Sequence, residues 1–216
     1  YILFYGQSPN IWYYDSISGN YNFNQHLYSD EVYYFLNISN YSNKKIISKQ
    51  LTTSHSLEIN EFQDFLCYEN ESENLINSGR LWFGDRFSSN ESKTFSFNFQ
   101  NLVTDLPIHI KTVVGSRSLV PSSLKIRCNN SLIENLLIPN ITSTPSTEYA
   151  KLATSERNFY SNSNDLNIDL SYLTEDNGAQ MWLDYIEINV VRKLKFTNNM
   201  LEFRNPNTSS NIVKYK

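Results

Sequence analysis

Trp182-Leu183-Asp184-Tyr185-Ile186-Glu187-Ile188-Asn189-Val190-Val191-Arg192-Lys193-Leu194 is the longest convincing β-strand pattern in the chain, with no glycine or proline to interrupt it. Simple alternation places Trp182, Asp184, Ile186, Ile188 and Val190 on one face and Leu183, Tyr185 and Val191 on the other. A strand that is apolar on both sides belongs in the middle of a layered structure, not at an edge. Asp184 is the exception on the Trp/Ile face. A carboxylate buried there needs an ion partner, hydrogen-bond donors or a metal ion. The expectation is that it lies near the mouth of the strand, accepting bonds from backbone N–H groups or from Arg80 or Arg117.

The segments upstream follow the same period. Lys93–Phe99 sets Phe95, Phe97 and Phe99 against Thr94, Ser96 and Asn98. Strand patterns recur at 108–114, 123–128, 132–138, 149–160 and 166–172, separated by Gly115, the prolines at 107, 121, 139 and 145, and a polar turn at 161–165. Seven or eight such strands with one-sided alternation describe an antiparallel β-sandwich of jelly-roll type. Nearer the N-terminus, Tyr1–Tyr5, Val32–Ile38 and Lys45–Thr52 read as further strands. Trp12-Tyr13-Tyr14-Asp15 and Tyr21-Asn22-Phe23 read as a hairpin around Ser18-Gly19-Asn20. One stretch departs from this pattern. Asn60 followed by Gln63 resembles a capping box, and Ile59, Phe62, Phe65, Leu66 and Cys67 fall at helical spacing, so one short helix is expected over 60–77, ended by Gly79. The organisation is therefore an N-terminal β segment at 1–78, a sandwich at 79–194, and a strand or linker from 195 to 216 leading toward a following domain.

Tyr and Phe number 15 and 13, against three Trp and two Met, a composition that favours sheets. The net charge of −4 and the lack of any Lys/Arg block argue against nucleic acid. No apolar run is long enough to span a membrane as a helix. The chain begins without Met, directly in an apolar pattern, as a fragment of a longer protein would. Asparagine is over-used, at 29 residues, with the Ile, Lys and Tyr that AT-rich codons also favour. Seven Asn-x-Ser/Thr sequons occur, at Asn37, Asn40, Asn70, Asn90, Asn129, Asn140 and Asn207. Given 40 Ser plus Thr, about five would arise by chance, so they say little about glycosylation.

Few residues offer chemistry. His26, His55 and His109 are isolated from one another, with no i,i+3 or i,i+4 pair to hold a metal. Cys128 alternates with Leu124 and Ile126 as a buried thiol, and Cys67 falls on the expected helix. No G-x-S-x-G, P-loop or G-x-G-x-x-G is present. No catalytic, cofactor-binding or metal residue is assigned.

Several segments, in order, carry a resemblance. They are Tyr1-Ile2-Leu3-Phe4-Tyr5-Gly6, Tyr28-Ser29-Asp30 with Tyr33-Tyr34-Phe35-Leu36, Ser78-Gly79-Arg80 with Trp82-Phe83-Gly84-Asp85-Arg86-Phe87, Thr94-Phe95-Ser96-Phe97, and Trp182 to Glu187. Together they resemble the region upstream of the catalytic domain in gingipain-like cysteine peptidases of the type IX secretion system, the PorU sortases. The resemblance implies a Bacteroidetes-type protein on the outer, extracellular side of the outer membrane. Its parent would remove C-terminal sorting signals from cargo, with the catalytic His and Cys in a caspase-like domain beyond residue 216. These residues would form a non-catalytic module that packs beside that domain or presents cargo or secretion partners to it. The alternative is a carbohydrate-binding module of a secreted or cell-surface protein. It would use exposed rings around Trp12-Tyr13-Tyr14, with a structural calcium near Asp184 as such modules can have.

Overall fold

The computed structural model describes residues 6–26, 28–29, 31–37, 57–77, 81–142, 148–196, 201–204 and 213–216. The chain divides into two compact units: Tyr1–Ile59 with Pro206–Lys216, and Asn60–Asn205. The expected boundary at 78/79 falls inside the second unit. In the first unit, β1 (Ile11–Asp15) and β2 (Asn20–Asn24) form the hairpin expected around Gly19, which takes φ 73°. Asp15 holds the turn through the backbone N–H of Ile17 at 2.9 Å. The short β3 (Leu57–Ile59) pairs in parallel with β13 (Val213–Tyr215). Residues 32–37, expected as a buried strand, form none, and Phe35 is 96% exposed. The expected strands at 1–5 and 45–52, together with His55 and Arg80, lie outside the described residues.

The second unit is the sandwich. Its strands are β4 (Glu61–Glu69), β5 (Arg86–Ser88), β6 (Ser92–Asn98), β7 (Ile108–Arg117), β8 (Ser122–Cys128), β9 (Ser131–Ile138), β10 (Lys151–Phe159), β11 (Asp165–Leu173) and β12 (Gln180–Lys193). One sheet runs β10-β7-β12-β4, with β5 continuing the β4 side of β12. The other runs β6-β11-β8-β9. Every pairing in both sheets is antiparallel. Between them lies one core, in which Phe87, Leu124, Ile126, Leu166, Ile168 and Tyr172 are among the residues fully removed from solvent. The outer face of the β6–β11 pair is a polar ladder: Ser92 to Ser171, Thr94 to Asp169, Ser96 to Asn167 and Asn98 to Asp165. Such cross-strand pairs add to the register that the apolar side sets.

Asparagine takes over work usually left to glycine. Among the described residues the non-glycine positions with positive φ are Asn77, Asn90, Asn101, Asn129 and Asn130. Asn129 and Asn130, at φ 48° and 71°, form the two-residue turn between β8 and β9. Two left-handed residues in succession match the twist of a hairpin.

The expected helix over 60–77 is absent: residues 61–69 are β4, paired with β12 from Tyr185↔Glu69 to Lys193↔Glu61. The helical reading came from Asn60 with Gln63 and from the spacing of the apolar residues, but in the strand Phe62 and Leu66 lie on one face and Phe65 and Cys67 on the other. Asp64 lies between Phe62 and Leu66 in the inward row, bound by Arg192 at 2.5 Å, and the Arg192 guanidinium also covers the Phe62 ring at 5.4 Å. Cys67, expected on a helix face, stands on the outer side of β4 opposite Glu187.

Candidate functional site

The long strand β12 contains a bulge. Its register with β7 runs Leu183↔Val114 and then Tyr185↔Val113, leaving Asp184 as an extra residue. Parity therefore changes within the strand. Met181 and Leu183 face the core before the bulge, and Ile186, Ile188 and Val190 face it afterwards. Trp182 is consequently on the opposite face from Ile186, not beside it as simple alternation predicts. Trp182 pairs with Gly115 on the outer face, where its indole N–H donates to Glu73 at 2.8 Å and its ring lies 6.2 Å from Tyr149. The Phe83 ring rests on Gly115, where a Cβ would come within 3.1 Å of it.

The bulge sets Asp184 beside the outer-face residues of β4. Asp184 is only 9% exposed and has no hydrogen-bond donor among the described residues. Burial first, then the nearby Glu71 carboxylate, push its acid up to about 6. Glu69, paired across from Tyr185, is pushed up to about 7 by burial, then by Asp184 and Glu71. Glu187, 1% exposed, continues the acidic row toward Lys111, whose ammonium lies 5.9 Å from the Tyr185 ring and bonds its hydroxyl. Arg117, one of the partners expected for Asp184, instead covers the Tyr149 ring at 4.5 Å and donates to the Tyr149 carbonyl.

This arrangement predicts how stability depends on pH. The folded-state acids of Asp184 and Glu69 lie above their unfolded values near 4, so the folded chain holds more protons between about pH 4 and 7. Stability is therefore fully favoured below that window and lost as pH rises through it. Asp15 and Asp176, held low by backbone N–H donors, are ionised throughout the window and do not offset the slope. Asp184→Asn is expected to gain about 1 kcal/mol at pH 8, after discounting for solvent screening, and nothing at pH 3, below the unfolded value. Urea midpoints at the two pH values measure this, and an equal change at both would refute it.

The nucleophile candidates are not activated. Burial and the charges of Glu69, Glu187 and Asp184 raise the Cys67 thiol, and burial pushes Cys128 up to about 11. Both are free thiols. A thiolate nucleophile needs the opposite environment. His109 bonds Glu156 at 3.0 Å, and its buried Nδ1 has no partner among the described residues. His26 accepts backbone N–H bonds from Tyr28 and Ser29. Among the described residues no group of three His, Cys, Asp or Glu side chains that could hold a metal ion is found. In the hairpin, Trp12 packs on Phe23 and Tyr14 on Tyr21, and Tyr13 is left 55% exposed.

No protein-family model and no curated protein sequence matches the chain. Among solved structures, dimeric latent PorU from Porphyromonas gingivalis superposes with a TM-score of 0.69 at 19% identity, over 93% of this chain and 19% of that one. The fold is thus that of one part of PorU, and the chain spans about a fifth of that protein's length. A family 35 carbohydrate-binding module from an environmental isolate matches 63% of this chain at a TM-score of 0.41 and 14% identity. A family 35 module from Clostridium thermocellum matches 59% at 0.37 and 11%. Likenesses this slight carry nothing about ligands.

Proposed function

We propose that the chain is a non-catalytic β-sandwich module of a larger surface sortase of the type IX secretion system. In this reading it packs beside a gingipain-like peptidase domain or presents cargo C-terminal signals or secretion components to it. The observation that carries the reading is the superposition on PorU across nearly the whole chain, over both units' sequence. The raised thiols of Cys67 and Cys128 fit a module that leaves the chemistry elsewhere.

The test is removal of this module from the parent gene in its native cell. Cargo is expected to keep its C-terminal signal, as it would in a strain whose peptidase cysteine is replaced. Normal cargo processing without the module would overturn the proposal. The alternative, a carbohydrate-binding module, requires a ring such as the exposed Tyr13 to stack on a sugar. Calorimetry with xylan fragments that shows binding lost in Tyr13→Ala would favour it.

A further inference from the structure

The two sheets meet differently along their two long sides. On one side β9 lies against β10, where the Glu134 carboxylate accepts from both Arg157 and the Ser155 hydroxyl. On the other side β4, Asp85 and β5 face β6 less closely, joined by the Tyr68–Phe95 and Phe87–Lys93 contacts. A crevice of about 520 Å³ runs between them, lined by Tyr68, Asp85 and the stretch of β6 from Lys93 to Phe97. β6 ends its sheet: it pairs with β11, and among the described residues no strand takes its other edge.

An open strand edge offers a row of unpaired backbone donors and acceptors. Proline, bulges and lysines commonly blunt such an edge; β6 has no proline or bulge across its seven residues and one lysine, Lys93, near its start. A strand added here would turn alternate side chains inward beside Phe95 and Phe97 and toward the Tyr68 ring, itself 5.0 Å from Phe95. Its other side chains would extend the outer ladder begun by Thr94 and Ser96. The charges in the crevice are unequal. Lys93 is already engaged by Glu91 at 3.8 Å and by the Phe87 ring. Asp85 accepts from the Tyr68 hydroxyl through one oxygen, at 2.7 Å, and its other oxygen has no partner among the described residues. The crevice therefore calls for a cation.

We propose that the free edge of β6 and this crevice form a strand-addition site for an extended segment of a partner protein, apolar at alternate positions and carrying one Arg or Lys opposite Asp85. This holds whether or not the chain belongs to a sortase, because it rests only on the edge and the crevice.

The probe is the acetylated, amidated peptide Thr-Val-Thr-Arg-Thr-Val-Thr, titrated into the isotope-labelled 216-residue chain. Amide shifts and slowed hydrogen exchange are expected in β6 and at Tyr68, with a Kd below about 1 mM. Asp85→Asn, or Arg exchanged for Glu in the peptide, should each weaken binding about tenfold. Spectra unchanged away from the crevice show that the variant is folded. No shifts at several times that concentration, shifts spread equally over other strand edges, or a Kd indifferent to Asp85→Asn would each overturn the proposal. Self-association through β6, seen by sedimentation and displaced by the peptide, would assign the edge to a second copy and also overturn it.

Discussion

Gly84→Ala is expected to destabilise the chain by about 3 kcal/mol and to lower its melting temperature by about 10 °C. Gly84 lies where the chain returns along the bulged part of β12. Its N–H donates to the Leu183 carbonyl at 2.8 Å, and the Leu183 N–H donates to the Asp85 carbonyl at 3.1 Å. A Cβ at Gly84 would lie 2.6 Å from Cβ of Asn70 and would press on the Asn70 carbonyl oxygen. Those atoms belong to the backbone leaving β4, so no rotamer change relieves the overlap. Either the segment 83–85 leaves β12, or residue 70 moves and carries Glu69 with it. Gly178→Ala is the control. A Cβ there meets only the Asp176 carboxylate, at an ordinary 3.4 Å, and the expected change is within about 0.5 kcal/mol. Thermal melts of the two variants that coincide would show that the contact with Asn70 is not tight.

Deleting Asp184 is expected to abolish the folded state, whereas Asp184→Gly, which keeps the residue count, is expected to fold. Pairings on either side of the bulge anchor β12 to β7, with Leu183 against Val114 and Tyr185 against Val113. Without the extra residue, one half of the strand must slip by one position. If the second half slips, Ile186, Ile188 and Val190 turn away from the core, and the register with β4 fails as well. If the first half slips, Trp182 is driven inward while Met181 and Leu183 leave. Each exposed core side chain costs about 1.5–3 kcal/mol, so the loss approaches the 5–15 kcal/mol that holds a typical domain folded. A dispersed amide spectrum from the deletion variant would show that register is set elsewhere.

The sandwich was legible because most of its strands alternate cleanly between turn residues. The strands of the second sheet, 92–98, 122–128, 131–138 and 165–173, fall where the pattern puts them. β4 was misread because Phe62, Phe65, Leu66 and Cys67 also fit helical spacing, although the strand divides them between its two faces, and no sequence pattern announces that Arg192 neutralises Asp64 across the ladder. The bulge was illegible for a related reason. An extra residue in a strand leaves the composition unchanged and shifts only the phase, so Trp182 was placed on the wrong face. Asp184 stood out from the sequence as a carboxylate in an apolar strand. Its neighbours Glu69 and Glu71 did not, because placing them requires β4 to be a strand paired with β12. The crevice was beyond reach as well, since it arises from how far apart two edges stand and not from any one segment.

The five left-handed asparagines also have an evolutionary meaning. Glycine is encoded by GGN codons and asparagine by AAT or AAC, so a genome drifting toward A and T exerts steady pressure to exchange one for the other. Turns with positive φ are where asparagine substitutes at least cost, because its short amide tolerates the conformation better than other side chains do. Asparagine is not confined to those corners, since Asn22, Asn98, Asn135, Asn158, Asn167 and Asn189 lie within strands, but only at the corners does it stand in for glycine. At Asn90 and Asn129 the amide also bonds the backbone of Thr174, and of Asp165 and Asn167, so a return to glycine there would relieve the left-handed backbone and lose those bonds together.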